Sequence, residues 1–544
     1  MRNIKYIFVL IAMVLLASSS HARTLEIKMS TCPKPYVDNI RKMTASLRSA
    51  DELILNFDKA GKYEFDGSLK FRCNTVIKGL GPNATQVIVK EGFTGGKSKM
   101  QDDVFFAIHG STTKKVKAEI RDISFELASH KGILWEKAAK HIVKIWHGDG
   151  IIVDNIVSKT RDAANTNLDL RECSNVLVQN SEFENYNNCN MGGNLWSRGK
   201  QNNIVVKNNV FRKYGNDEVL AFWGGRSGIN DDSEMKDIVV KDNQFYYGNK
   251  AKSKKDIKVS VFICFYHFQE DVFRIKNRCY VDNIVFKNNS ITIDDVIYRD
   301  ISFNFDSLAS VGNIEISNNS ITNTRKSSSD SNYMNDITLV ACGNIQSPVI
   351  IKNNTVNNHG EVLCNGKNSG YTFLSLKGVD VNLNGNVVNS DYGVGLLWCH
   401  AGLMNITMQN NTATGLYKTG ILGSSEGTSK INIIANANTL DGDTRLYCEN
   451  LDELTLNFTN NTFNSSASHF FLQEGAPKTW VVFDGNTINA LKGKGIMFAN
   501  YSNKPYNFTK IQVTNNTFRG LSKNAIENPF KSARNKTINN NIYR

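Results

Sequence analysis

One motif recurs through most of this chain and restricts what it can fold into. A short run of alternating apolar residues meets one or two asparagines, then a small residue, then an aliphatic or aromatic one. It reads IVVKNNVF ending at Phe211, IVVKDNQF at Phe245, IVFKNNSI at Ile291, IEISNNSI at Ile321 and VIIKNNTV at Val356. It continues as VNLNGNVV to Val388, ITMQNNTA to Ala413, LNFTNNTF to Phe463, VVFDGNTI to Ile488 and IQVTNNTF to Phe518. Looser copies surround Asn155 and Asn180, and KTINNNIY closes the chain. The recurring asparagine advances by roughly 23 to 46 residues per copy. A period in that range marks a solenoid.

The alternation puts Ile, Val and Leu on one face, which is the pattern of half-buried strands and not of helices. Each strand is too short to bury that face alone, so coils must stack into one continuous core. Asparagine suits the corner after the strand, because it tolerates left-handed backbone angles and its amide bonds locally. When every coil carries it, the amides can bond from coil to coil as a ladder. A leucine-rich repeat would need its leucine consensus and a helical segment, and a propeller blade about four strands and a longer period. The expected fold is therefore all-β, a single-domain parallel β-helix.

On these repeats the sequence resembles the pectin-lyase-like superfamily of right-handed β-helices, along nearly the whole chain. The stretch from the Leu53–Asn56 strand through YEFDGSLKFRCNTVIKGLGPNATQVIV looks like the usual first coils of that superfamily. A helical segment from about Val37 to Ser49, within an N-terminal cap of about residues 23–55, is expected to cover the open end and its strand edges. The superfamily includes lyases, hydrolases, esterases and phage tailspikes, so the pattern speaks for fold more than for activity.

Arg2 and Lys5, the apolar run Ile7 to Ala17, and the small residues before position 23 read as a signal peptide over residues 1–22, too short to span a bilayer. The expected mature chain, 23–544, is exported to the periplasm or beyond, and no lipobox precedes Cys32. Its charge is 13 − 2 = +11, which favours a polyanionic partner. For an exported protein that means an acidic glycan and not nucleic acid. A generally basic, solvated surface is the plainer alternative. No membrane span and a monomer are expected. Ten cysteines include no C-x-x-C pair, which argues against a zinc ribbon or redox motif. Cys173 with Cys189, or Cys264 with Cys279, could bridge coils, or the cysteines could stack inside as small hydrophobes.

In the superfamily, carbohydrate usually lies on the strand before the one ending at the asparagine corner. Here those strands lie at 141–148, 165–173, 191–199, 217–225, 259–268 and 299–307. Alternation sorts their faces. With Leu168 and Leu170 inward, Asn167, Asp169 and Arg171 point out; with Leu195 and Ser197 inward, Asn194, Trp196 and Arg198 point out. The same logic exposes Lys144, Trp146, Tyr266 and Asn304, places His267 at the rim, and leaves the register around Glu218, Trp223 and Arg226 open. Aromatic rings stack on pyranose faces and arginine forks bind carboxylate or sulfate, so these residues suit a charged sugar.

Cleavage of a uronate chain by β-elimination needs the carboxylate neutralised, a base at C5 and an acid for the leaving oxygen. Arg171 and Arg198 are candidates for the first role, and Tyr266, His267 and Lys144 for proton transfer. Asn167, Asn194, Trp196, Trp223, Arg226 and Asn304 are candidates for sugar binding. Asp169 and Glu218 could hold an arginine in place or bind Ca²⁺. The paired aspartates and G-H-G of polygalacturonase-type hydrolases are not in their usual order, although RIK at 274–276 matches one element. The W-x-D-H element of pectate lyases and the calcium and Lys/Arg signatures of chondroitinase-B-like and alginate lyases are missing. The chain resembles the less-studied β-helical polysaccharide lyases of gut-type bacteria. The expected activity is therefore a lyase on glycosaminoglycan, pectate or alginate. The alternatives are a β-helical hydrolase, using Asp169 with Glu218 or Asp300 with Asp306, and a non-catalytic glycan-binding protein.

Overall fold

The computed structural model describes residues 22–90, 104–127, 141–160, 166–186, 193–214, 219–224, 232–248, 263–267, 278–294, 301–305, 309–323, 340–342, 344–345, 347–358, 370–375, 379–390, 395–401, 403–414, 421–424, 430–441, 444–447, 452–465, 470–473, 478–490, 495–499, 508–521, 525–527 and 535–544. The expected signal-peptide core, 1–21, lies outside them. No helix among the described residues is long and apolar enough to cross a membrane.

The fold is the expected all-β, right-handed parallel β-helix. One coil shows the plan. Thr166–Arg171 runs to a corner at Glu172, Ser174–Gln179 runs to a second corner at Asn180, and Glu182–Asn185 completes the turn. Each strand pairs in parallel with its counterpart on the next coil, Leu195–Arg198, Gln201–Lys207 and Val210–Lys213. Stacking identical positions makes like meet like in the core. Phe183, Phe211 and Phe245 stack at centroid separations of 5.2 and 5.1 Å, and Phe222, Phe265 and Phe303 at 5.0 and 4.6 Å.

The asparagine pairs divide their work. The first member takes the left-handed corner: Asn208, Asn288, Asn318, Asn353, Asn410, Asn460, Asn515 and Asn540 all have φ between 53° and 57°. Where a coil lacks that asparagine, Gly385 and Gly485 fill the position at 64° and 66°, and Ala437 at 55°. The second member turns inward and forms the anticipated ladder, continuous from Asn209 to Asn541 and buried as far as Asn516. Asn354 is typical. Its Oδ1 accepts from the backbone N–H and Nδ2 of Asn319 (3.0 and 2.9 Å), and its Nδ2 donates to Ile316 O and Asn386 Oδ1 (both 3.0 Å). Each amide thus satisfies buried backbone groups that the corner strips from the sheet ladder.

At the N-terminus, helix α1 (Tyr36–Thr44) covers the open end. Its buried residues Tyr36, Val37 and Ile40 lie on one stripe, with the Tyr36 ring 5.4 Å from Phe65 and 5.9 Å from Tyr63. The helix stops five residues short of the expected Ser49. Asp51, fully buried, accepts from the backbone N–H of Arg48 (2.8 Å) and from Arg23 N and Nε (both 3.1 Å), which draws the intervening segment into a turn.

The cysteine pairings considered above do not form. Cys173 is a free, buried thiol that donates to Ile145 O at 3.6 Å, and burial pushes it up to about 12. Cys279 packs in the core while Cys264 packs on the outer face with Trp196 and Ala221, so the sheet separates them. Cys189 lies outside the described residues.

Candidate functional site

The strands grouped above by sequence form one parallel sheet. In chain order it contains β1 (Leu69–Phe71), β2 (Val104–His109), β3 (His141–Trp146), β4 (Thr166–Arg171), β5 (Leu195–Arg198), β6 (Leu220–Trp223), β7 (Ile263–His267), β8 (Ile301–Phe305) and β9 (Val340–Cys342). Val143, Leu168, Leu195, Leu220 and Ile263 are in register and buried in the core. The residues between them face outward, and the register sorts these into two rows.

The lower row is Lys144, Asp169, Trp196, Ala221 and Cys264, all buried. The upper row is Trp146, Arg171, Arg198, Trp223 and Tyr266, and the first four are half-exposed. Two guanidiniums therefore stand on adjacent rungs between two indoles. Arg198 stands over Trp196, its Cζ 3.9 Å from the ring centroid, and 5.4 Å from that of Trp223. The Trp196 and Trp223 rings stack at 6.3 Å, and Arg171 lies 5.8 Å from the Trp146 ring.

Like charges on facing strand positions repel, and Asp169 supplies the counter-charge. It is fully buried, its Oδ2 accepts from Arg171 Nε at 3.1 Å, and His141 Nε2 stands 3.6 Å from the same oxygen. Burial works against ionisation of Asp169, yet His141, Arg198, Arg171 and Lys144 together hold it at about 2. His141 is driven down to about 3, chiefly by burial and despite Asp169, so it is neutral at pH 7. At that pH the three cations alone keep Asp169 charged. Asp169 holds an arginine, and a calcium ion placed beside it would meet the cations of Lys144, Arg171 and Arg198; Glu218, the other candidate ligand, lies outside the described residues. Among the described residues no group of three His, Cys, Asp or Glu side chains could hold one.

Two expected sugar-binding residues point the other way. Asn167 and Asn194 are buried inside, where Asn167 Nδ2 donates to Asn194 Oδ1 at 2.9 Å, Ser158 Oγ donates to Asn167 Oδ1 at 2.7 Å, and Asn194 Nδ2 donates to Arg212 O at 3.0 Å. At the start of these strands two consecutive residues point inward, as Ile142 with Val143 and Val219 with Leu220 do in the core, so the alternation slips by one residue. Asn194 N and Leu195 N there both donate to Val219 O, at 2.9 and 3.2 Å. The same slip lets His141, which shares its parity with inward Val143, reach Asp169 on the outer face. Alternation by itself could not have found His141.

Lys144 and Trp196 face outward as expected but are buried, Lys144 with its ammonium 5.4 Å from the Trp146 ring. They support the upper row from beneath. Tyr266 and Asn304 are in register with Trp223 and with each other, and His267 pairs with Phe305 at the strand end. Glu218, Arg226, Asp300 and Asp306 lie outside the described residues. His109, not among the residues singled out by alternation, lies one rung before Trp146 in the upper row. Burial first, then the charges of Lys70, Lys144, Arg72 and His147, lower it to about 4.

No known family pattern and no characterised protein sequence matches this chain. Several solved structures are similar in backbone. A family 28 exopolygalacturonase from Yersinia enterocolitica is 11% identical over 72% of this chain and 76% of its own, with a TM-score of 0.42. The DFA-IIIase of Arthrobacter chlorophenolicus A6 is 9% identical over 74% and 86%, with a TM-score of 0.40. The catalytic unit of a GH87 α-1,3-glucanase from Streptomyces thermodiastaticus is 12% identical over 90% and 71%, also at 0.40.

Proposed function

We propose that this protein is a polysaccharide lyase that cleaves an acidic, uronate-containing glycan by β-elimination. The observation that carries the reading is the Trp146–Arg171–Arg198–Trp223 row above a buried, arginine-bound Asp169. Paired guanidiniums with fixed geometry neutralise a uronate carboxylate and make its C5 proton acidic, a preorganised form of charge stabilisation. The flanking indoles give the sugar rings apolar faces to stack on. Arginine takes the neutralising role and no calcium is required. Tyr266, in the same row two rungs beyond Arg198, is the proposed proton-transfer residue, with His267 next to it. Asp169 is a positioning residue. Held at about 2 and bonded to Arg171, it carries no proton to donate at neutral pH, which disfavours a hydrolase that would use it as its acid.

The test is incubation with glycosaminoglycans, pectate and alginate, following both ultraviolet absorbance of unsaturated product and reducing ends. Rising absorbance on one of these polymers is the expected result. Reducing ends without absorbance would make the protein a hydrolase, and saturable binding without either product would make it a binding protein.

A further inference from the structure

The upper row does not begin at Trp146. One rung earlier it holds half-exposed His109, whose ring lies 5.7 Å from Trp146. One rung before that, Arg72 follows Phe71, the partner of Ile108, and stands in line with His109. Arg72 and its neighbour Lys70 are exposed, and neither has an ion-pair partner among the described residues. Arg23, Arg121 and Arg212 on other faces each have a carboxylate within reach. The pressure of positive charge at this end is also felt by His109, which Lys70, Lys144, Arg72 and His147 help to keep neutral. The row thus has cations at both ends of an aromatic and imidazole stretch, and Arg72 lies three rungs from Arg171, about 14 Å at the spacing of parallel strands.

We propose that Lys70 and Arg72 form a second anion subsite. It takes an acidic group on the same glycan that Arg171 and Arg198 grip, with the chain laid along the helix axis over His109 and Trp146. This deepens the reading of the site as one for an acidic glycan and rests on it. A pyranose chain advances by about one rung spacing per sugar, so the two gripped groups sit roughly three sugars apart. Short fragments would engage one end only, and longer ones both. The second contact then becomes intramolecular and strengthens binding without any new chemistry at the first.

Heparin disaccharide and octasaccharide, both rich in uronate and sulfate, are suitable probes, with quenching of tryptophan fluorescence as the readout. The unaltered chain is expected to bind the octasaccharide about tenfold more tightly than the disaccharide, which is too short to reach both ends. A Lys70→Ala, Arg72→Ala double variant is expected to narrow that gap to about twofold, whereas Arg171→Ala weakens both lengths alike. Equal affinity for the two lengths in the unaltered chain, no binding of either, or a full length advantage in the double variant would overturn the subsite. Length-dependent binding lost in the double variant, together with no cleavage of any uronate polymer, would keep the subsite and remove the lyase. Cleavage without length dependence would do the reverse.

Discussion

Arg171 Nε donates to Asp169 Oδ2 at 3.1 Å from two positions along the same strand, and the carboxylate it reaches is fully buried. One buried anion therefore fixes an arginine at the surface and offsets the charge of Lys144 and Arg198 beside it. Asp169→Asn removes that offset while nearly conserving volume. It is expected to cost about 3 kcal/mol, read by urea unfolding, because it leaves clustered cations without their counter-ion.

Arg171→Ala carries a structural cost that an exposed sheet residue would not. The Arg171 side chain is only 20% exposed and its loss strips Asp169 of its hydrogen bond. A destabilisation of about 1–3 kcal/mol is expected, well above the roughly 0.5 kcal/mol of an ordinary surface change. A double-mutant cycle with Asp169→Asn should show coupling of about 1–2 kcal/mol. Additive effects would show that the pair is not a unit.

Arg198→Ala is expected to lower kcat/KM on the cleaved polymer by about a hundredfold or more, as for loss of one preorganised donor. Arg198→Lys should recover little of it, since an ammonium does not fork onto a carboxylate. Full rescue by lysine would mean that only the charge matters there.

Acid should destabilise the protein from about pH 6.5 downward. An unfolded histidine protonates near pH 6.5, whereas His141 stays neutral in the fold until about 3 and His109 until about 4, so the unfolded state binds more protons across that window. Asp169, at about 2 in the fold, adds stability that is complete above the ordinary carboxylate pKa and is lost as pH falls through 2. His141→Asn should flatten the upper part of the profile in unfolding series from about pH 7 to 4. An unchanged slope would show that His141 titrates normally.

Neighbouring asparagines should respond differently to the same change. Asn354→Ala strands two N–H donors of Asn319 in the interior and is expected to cost about 2–4 kcal/mol. Asn353→Ala loses only the left-handed preference at φ 53° and should cost about 1 kcal/mol, with Asn353→Gly close to neutral. At Ala437, where alanine already sits at φ 55°, Ala437→Gly should stabilise by about 0.5–1 kcal/mol in thermal or urea unfolding. Equal costs at Asn353 and Asn354 would contradict the division of roles.

The repeat alone was enough to determine the solenoid, its corners and its asparagine ladder. Each is a local preference multiplied by stacking, since a period-2 apolar face, a left-handed corner and an amide at the same place in every coil leave one consistent packing. For the same reason the strands carrying Trp146, Arg171, Arg198 and Trp223 can be grouped into one sheet from the sequence. The tertiary structure decided how deep each residue sits and where alternation fails. Nothing in the string LDLR says that Asp169 is buried and Arg171 half-exposed, because burial depends on what neighbouring segments cover. Nor does NTNLDLR or GGNLWSR announce the slip in alternation that turns Asn167 and Asn194 inward and brings His141 to Asp169. That slip is visible only between coils, where Asn194 N and Leu195 N share the carbonyl of Val219, and a contact between coils is not written along the sequence.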